Sequence, residues 1–158
     1  MQSRRRLSYA QGYLELGMVA EAAAELEHIP APENAATEVV AVRLAVLQEQ
    51  KKWPALAALA GEFVRRMPGE AAGWVTWAYA TRRADSLAAA EKILLEAETH
   101  HPAEPTIQFN LGCYACQRGD NATARVRVDR AVALDAKFAA AVATDPDLAP
   151  LRAEQLPS

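Results

Sequence analysis

Residues 71–104 read AAGWVTWAYATRRADSLAAAEKILLEAETHHPAE, and the fold is decided there. Trp74, Trp77, Ala78 and Thr81 recur at spacings of three and four, and so do Leu87, Ala90, Leu94 and Ala97. Such spacings gather apolar side chains on one face of an α-helix. Between the two stripes, Arg83, Ala84 and Asp85 make a short turn, with Asp85 or Ser86 placed to accept the free N–H groups that open the second helix. Pro102 has no N–H to continue that helix and stops it. The stretch predicts two helices joined by a tight turn.

Outward from this unit the pattern returns with a period of 34 residues: Pro68 and Pro102 are one period apart, as are the turn positions Gly17, Lys51, Asp85 and Gly119. The same shift lays Trp53 on Leu87, Leu47 on Thr81 and Ala115, Leu56 on Ala90 and Ala124, and Phe63 on Ala97 and Ala131. Two helices approach closely only where side chains are small, so Ala78, Gly112, Ala90 and Ala124 read as contact points. The expected organisation is one domain of four units, at about 3–34, 37–70, 71–104 and 105–138, with a cap over 139–158. Arrays of this sort need about three repeats or more, because each pair buries only part of its apolar surface alone.

The unit resembles the tetratricopeptide repeat (TPR), of the bacterial type. Trp74, Trp77, Ala78, Ala90 and Pro102 fill the signature positions in the third repeat, and Leu111, Gly112, Ala115, Ala124 and Ala131 fill them in the fourth. The first keeps Ala10, Tyr13, Gly17, Ala22 and Leu26, although Pro30, Ala31 and Pro32 cut its second helix short. The second departs most, with Arg43 where leucine is usual and Leu56 where alanine is usual, so these helix pairs are expected to splay. The resemblance implies an all-α, right-handed superhelical solenoid and a non-enzymatic scaffold that binds a partner protein or peptide in its concave groove.

In that family the first helix of each pair lines the concave face. Carried over by position, this selects Tyr79, Arg82 and Arg83 from the third repeat and Phe109, Asn110, Cys113 and Gln117 from the fourth, with Gln48, Glu49, Gln11 and Glu15 further towards the N-terminus. Arg82 and Arg83, expected to project into solvent, suit an acidic partner through charge-assisted bonds. The subclass that clamps chaperone C-termini is disfavoured: Asn110 matches its asparagine, but Val75 and Tyr79 stand where lysine and asparagine are wanted.

Composition agrees with a helical protein. The chain has 158 residues, 51% hydrophobic and 23% charged, with 36 alanines against 7 glycines and 9 prolines, and alanine orders into a helix without losing side-chain entropy. A net charge of -3 gives no broad basic field for nucleic acid. Charges interrupt every apolar run near the N-terminus, so neither a secretion signal nor a membrane span is expected. Two cysteines are too few for a disulfide scaffold, and a cytoplasmic location is the expectation.

Beyond Leu134, Lys137–Thr144 reads as a short helix. Asp145-Pro146-Asp147-Leu148 reads as a helix start with proline at its first position. Leu148, Leu151 and Leu156 would cover the end of the fourth repeat while Arg152 and Glu154 face water.

Catalytic chemistry has little to stand on. Cys113 and Cys116 form a C-x-x-C, but well inside a helix rather than at its N-terminus, and no second pair of ligands completes a zinc site. His28, His100 and His101 sit in last turns of helices, where they suit C-terminal capping. No phosphate-binding or nucleophile motif is present. The expectation is no enzyme and no cofactor. Alternatives are a secretion-type chaperone cradling a client, a self-associating adaptor, and, last, a small redox or metal enzyme using Cys113 and Cys116.

Overall fold

The computed structural model describes residues 1–154, and over them the chain is an all-α solenoid with no strand. Four helix pairs follow one another: α1 (Gln2–Glu15) with α2 (Val19–Glu27), α3 (Thr37–Glu49) with α4 (Trp53–Arg66), α5 (Ala71–Ala84) with α6 (Leu87–His100), and α7 (Pro105–Gln117) with α8 (Asn121–Leu134). A shorter run closes the chain: α9 (Phe138–Thr144), a 3-10 turn (Pro146–Leu148) and α10 (Ala149–Ala153). None of the described helices is long and apolar enough to cross a membrane.

The turns inside the pairs explain the periodic residues. Gly17, Lys51 and Gly119 have φ of 73°, 55° and 85°, and the amide after each reaches back five residues: Met18 to the Tyr13 carbonyl at 2.8 Å, Lys52 to Leu47 at 3.0 Å and Asp120 to Ala115 at 2.9 Å. A left-handed residue followed by such a bond is the Schellman ending of a helix, which satisfies carbonyls that would otherwise be unpaired. The third turn is built differently. Asp85 has φ −130°, and Ser86 rather than Asp85 caps α6, its hydroxyl accepting from the Ala89 amide at 3.1 Å.

The predicted small contact residues lie where the helices touch. Ala78, Ala90 and Ala124 are wholly buried. A Cβ at Gly112 would lie 2.8 Å from Val128 Cγ1 and 3.3 Å from the Ala124 carbonyl oxygen, so α7 and α8 approach as closely as they do only because the residue is glycine. Trp74 is buried and donates its indole N–H to the Pro68 carbonyl at 2.9 Å. His101 Nε2 lies 2.9 Å from the same oxygen, and His100 stacks on Trp74 with centroids 5.2 Å apart. His28 Nδ1 is 2.7 Å from the Ala24 carbonyl, so all three histidines serve helix ends and packing.

The apolar interior is divided. One cluster joins α1, α2 and α3 through Ala10, Leu26, Val42 and Val46. A second joins α3, α4 and α5 through Leu44, Leu56 and Phe63. The third and largest runs from Val64 and Trp74 through α6, α7 and α8 to Leu148 and Leu151. Pro30 leaves α2 with nine residues where α4, α6 and α8 have 14 each. In the second pair α3 and α4 touch less extensively than the helices of any other pair, and Leu56, standing where alanine is usual, is wholly buried in the cluster that joins them to α5.

A polar node lies inside the largest cluster. Gln108, wholly buried on α7, donates to Glu98 of α6, and Arg127 of α8 bonds both Glu98 and, at 2.9 Å, Gln108 Oε1. Burial works to raise the Glu98 pKa, but the bonds from Gln108 and Arg127 outweigh it and hold the carboxyl below its ordinary range.

At the C-terminus Phe138 packs on Phe109, ring centroids 5.2 Å apart. The helix then breaks: Asp145 is extended and its Oδ1 accepts from the Asp147 amide at 2.8 Å, with Pro146 at the first position of the turn as expected. Leu148 and Leu151 are buried. Arg152 corrects the expectation that it faces water, because it donates to the carbonyls of Val142 (3.0 Å) and Asp145 (2.9 Å). Glu154 is exposed and pairs with Arg125 at 3.2 Å. Leu156 lies outside the described residues.

Candidate peptide-binding face

The seven residues selected for a binding face lie on α5 and α7, and the structure separates them into a filled half and an open half. In the filled half the 3-10 turn of the C-terminal run lies against α7 and reaches Arg82 of α5, while α9 and α10 lie against α8. Arg82 donates from Nη1 to Asp147 Oδ2 at 2.7 Å and from Nη2 to Oδ1 at 3.2 Å, and its guanidinium carbon sits 5.3 Å over the Tyr114 ring. The bond to Asp147 raises the Arg82 pKa still further. Gln117, exposed at the end of α7, donates from Nε2 to the Asp147 carbonyl at 2.9 Å. Arg82 is therefore paired within the chain, which corrects the expectation of a side chain projecting freely into solvent.

Two further residues are corrected. Phe109 is only 7% exposed, beneath Phe138, and Cys113 is 3% exposed. Phe138 packs on the first and Asp145 and Asp147 lie beside the second, so neither offers a surface while the C-terminal run is in place. Asn110 is half-buried.

Cys113 Sγ lies within 4.8 Å of carboxylate oxygens of Asp145 and Asp147. Burial, reinforced by those two carboxylates, pushes its thiol up to about 12, leaving it protonated and a poor nucleophile at neutral pH. Cys116 is also buried; both thiols are free, and Cys116 Sγ contacts Asn121 Oδ1 at 3.7 Å. The C-x-x-C pair therefore does not converge on one site. A cation at the Cys113–Asp145–Asp147 group would compete with Arg82, which bonds both carboxylate oxygens of Asp147.

The open half centres on Tyr79 and Arg83. Arg83 is exposed, its guanidinium carbon 3.4 Å from the Tyr79 ring centroid and 5.2 Å from that of Trp53, while its Nη1 donates to the Tyr79 carbonyl at 3.2 Å. Trp53 and Tyr79 meet edge to face with centroids 5.6 Å apart. Towards the N-terminal end of α5, a groove of about 200 Å³ between α3 and α5 is lined by Ala41, Leu44, Ala45, Gln48, Phe63, Ala72, Gly73 and Thr76. Gln11, Glu15, Gln48 and Glu49 are exposed or partly so, as their positions require. Repeat position does not select Trp53, which opens a second helix. Its signal in the sequence is its place beside the Lys51 turn, which brings the first residue of α4 level with the end of α5.

No family model matches the chain, and no curated protein matches it. Solved structures do. It is similar to the MamA RS-1 ArsTM double mutant with a TM-score of 0.75 at 16% identity, over 85% of this chain and 76% of that one. It is also similar to TTC0263, a thermophilic TPR protein of Thermus thermophilus, with a TM-score of 0.68 at 17% identity over 96% of both chains. At these identities the likeness shows the fold: a TPR-like helical repeat.

Proposed function

We propose that this TPR-like solenoid is a non-enzymatic scaffold that holds a partner protein or peptide against its first helices, at the open half around Trp53, Tyr79 and Arg83. The observation that carries this is the exposed cation–π stack of Arg83 on Tyr79 and Trp53, with a groove towards the N-terminal end of the same α5. Arginine and aromatic side chains are the commonest anchors of protein interfaces, and here the stack fixes them before a partner arrives. The groove is small and its lining is mostly small side chains with Leu44 and Phe63 among them, which suits a short peptide segment better than a bulky unfolded client. Arg83 gives the site a preference for acidic segments.

The test is selection of binders from a displayed random peptide library, followed by titration of the winners against variants. Tyr79→Ala or Arg83→Ala should weaken binding about 5- to 30-fold, the span of one to two kcal/mol that an anchor contributes. The effect of Arg83 should shrink as salt rises, because exposed charges are screened. Winners indifferent to both substitutions but abolished by Leu95→Glu or Val126→Glu, at exposed apolar positions on the second helices, would move the site to the opposite face.

A further inference from the structure

The filled half of the face holds something that has the chemistry of a bound peptide. Asp147 presents its carboxylate to Arg82 in a two-pronged bond. Its main-chain carbonyl takes a side-chain amide from Gln117, a contact that reads backbone and not sequence. Leu148 and Leu151 supply the buried apolar anchors. These are three elements by which grooves ordinarily hold peptide segments, here one folded as a turn and a short helix: a charge, a main-chain bond and spaced apolar side chains.

Apart from its docking, the segment is held by the bonds from Arg152 to the carbonyls of Val142 and Asp145. The α9 ladder ends at Thr144, and Asp145 is extended with φ −64° and ψ 125°, so the residues after it can move without unwinding α9. The helix beyond has five residues, too short to persist in water by itself. The Arg82 and Asp147 side chains remain 30% and 26% exposed, within reach of a competing carboxylate. Arg83, next in sequence, leads directly into the open half.

We infer that Asp145–Glu154 is a tethered occupant of the binding face, and that this half of the face takes an acidic partner segment with an aspartate followed by leucines one and four positions later, as in Asp147, Leu148 and Leu151, which displaces it. The inference rests on the first-helix face being the binding face, and it names the partner's chemistry and a control on access. A partner's aspartate and leucines recover the bonds and burial that the chain's own residues give up. The exchange is decided by the partner's concentration against that of the tether, which is in the millimolar range for a short connection.

Cys113 lies beneath the segment and reports on it. The test uses the full chain carrying Cys116→Ala, so that Cys113 is the single thiol, and a fluorescent peptide TDPDLAPLRAE, the sequence of residues 144–154. In the otherwise native chain Cys113 should react slowly with a thiol reagent and the peptide should bind weakly. Asp147→Ala should speed labelling and tighten peptide binding, each about tenfold or more as the tether's local concentration is withdrawn. The bound peptide should protect Cys113 again. Adding Arg82→Glu should abolish peptide binding while leaving Cys113 open.

Unchanged Cys113 labelling in both Asp147→Ala and Leu148→Ala would show the segment to be a fixed part of the core and overturn the inference. So would a folded Asp147→Ala chain that labels fast yet takes no peptide. A dimer in light scattering with Cys113 protected would overturn it in favour of exchange of the segment between copies. If library-selected peptides still depend on Tyr79 and Arg83 in any of these cases, the scaffold reading stands and this inference alone falls.

Discussion

The two ends of the molecule carry the same repeat and use it differently. From α5 onward the small residues fall where helices meet, Gly112 lets α7 and α8 close up, and a single core runs through to Leu148 and Leu151. Before α5 the pattern is interrupted: Pro30 shortens α2, α3 and α4 touch less than the other pairs, and the interior is split into two smaller clusters. The C-terminal half is better packed, and the C-terminal run covers Phe109 and Cys113 there, while Arg83 at the end of α5 and the selected positions on the first helices before it stay exposed. Tolerance of a repeat to departures from its pattern is set by whether neighbours can still bury the apolar stripe, and here the departures cluster away from the C-terminal run.

The largest effect that could break this contrast is on cooperativity. Trp74→Ala, in the largest cluster, should destabilise by about 3–5 kcal/mol and bring α5 to α8 down together in hydrogen-exchange measurements. Leu26→Ala, in the first cluster, should free the amides of α1 and α2 while leaving those of α7 and α8 protected, as expected when repeats couple only to neighbours. Equal loss of protection everywhere after Leu26→Ala would mean that the divided interior behaves as one.

Next comes a pair of glycines. Gly112→Ala puts a methyl against Val128 and the Ala124 carbonyl and should cost about 1–3 kcal/mol by overpacking. Gly12→Ala, on α1 with nothing within 4 Å of the added carbon, should gain about 0.5–1 kcal/mol from helix propensity. Thermal melts of the two single variants give the answer, and the same sign for both would contradict the packing described.

Adjacent arginines sharpen the contrast between filled and open halves. Arg82→Ala removes the bidentate bond to Asp147 and should lose about 1–2 kcal/mol of stability, a partly exposed charge pair lying below a fully buried one. Arg83→Ala should change stability by less than about 0.5 kcal/mol, as an exposed side chain does. Chemical denaturation of both variants measures the difference directly.

The smallest effect is a pH dependence confined to the better-packed half. The Glu98 pKa is lowered on folding, so its contribution is present above the ordinary value of 4.5 and fades as pH falls through the lower folded value. Glu98→Gln should be less stable than the native chain by about 1 kcal/mol at neutral pH, and the two melting curves should converge as the medium is acidified below that ordinary value. A gap that persists at low pH would mean that Arg127 and Gln108 do not depend on the carboxylate's charge.

What could be read from the residues, and what could not, divides by distance along the chain. Trp74, Ala78, Ala90 and the prolines at 68 and 102 announce the helix pairs because periodicity is a local signal. Gly17, Lys51 and Gly119 mark turns that are all left-handed. The site is legible only as positions on helices. Arg82 and Asp147 are 65 residues apart, and no spacing rule connects an arginine in a repeat to an aspartate outside it. Phe109 is expected on the surface because its position in the repeat is an inner one, and Phe138, beyond the fourth pair, is what covers it. Gln108 stands as a polar residue within an apolar stripe, a hint of a buried network whose other members lie on different helices.

The stack of Trp53, Tyr79 and Arg83 also makes the molecule its own optical instrument. All three tryptophans fall between positions 53 and 77, so tryptophan emission, excited selectively over tyrosine, comes only from α4 and α5, the seam between the loose and the packed halves. Trp53 is half-exposed and in contact with the guanidinium of Arg83, and a peptide that pulls Arg83 away or covers the indole should change its intensity and wavelength without any added dye. Melting of α1 and α2 should leave that emission dark to the event, so a fluorescence trace and a circular dichroism trace recorded on the same heated sample should part company at the N-terminal end first.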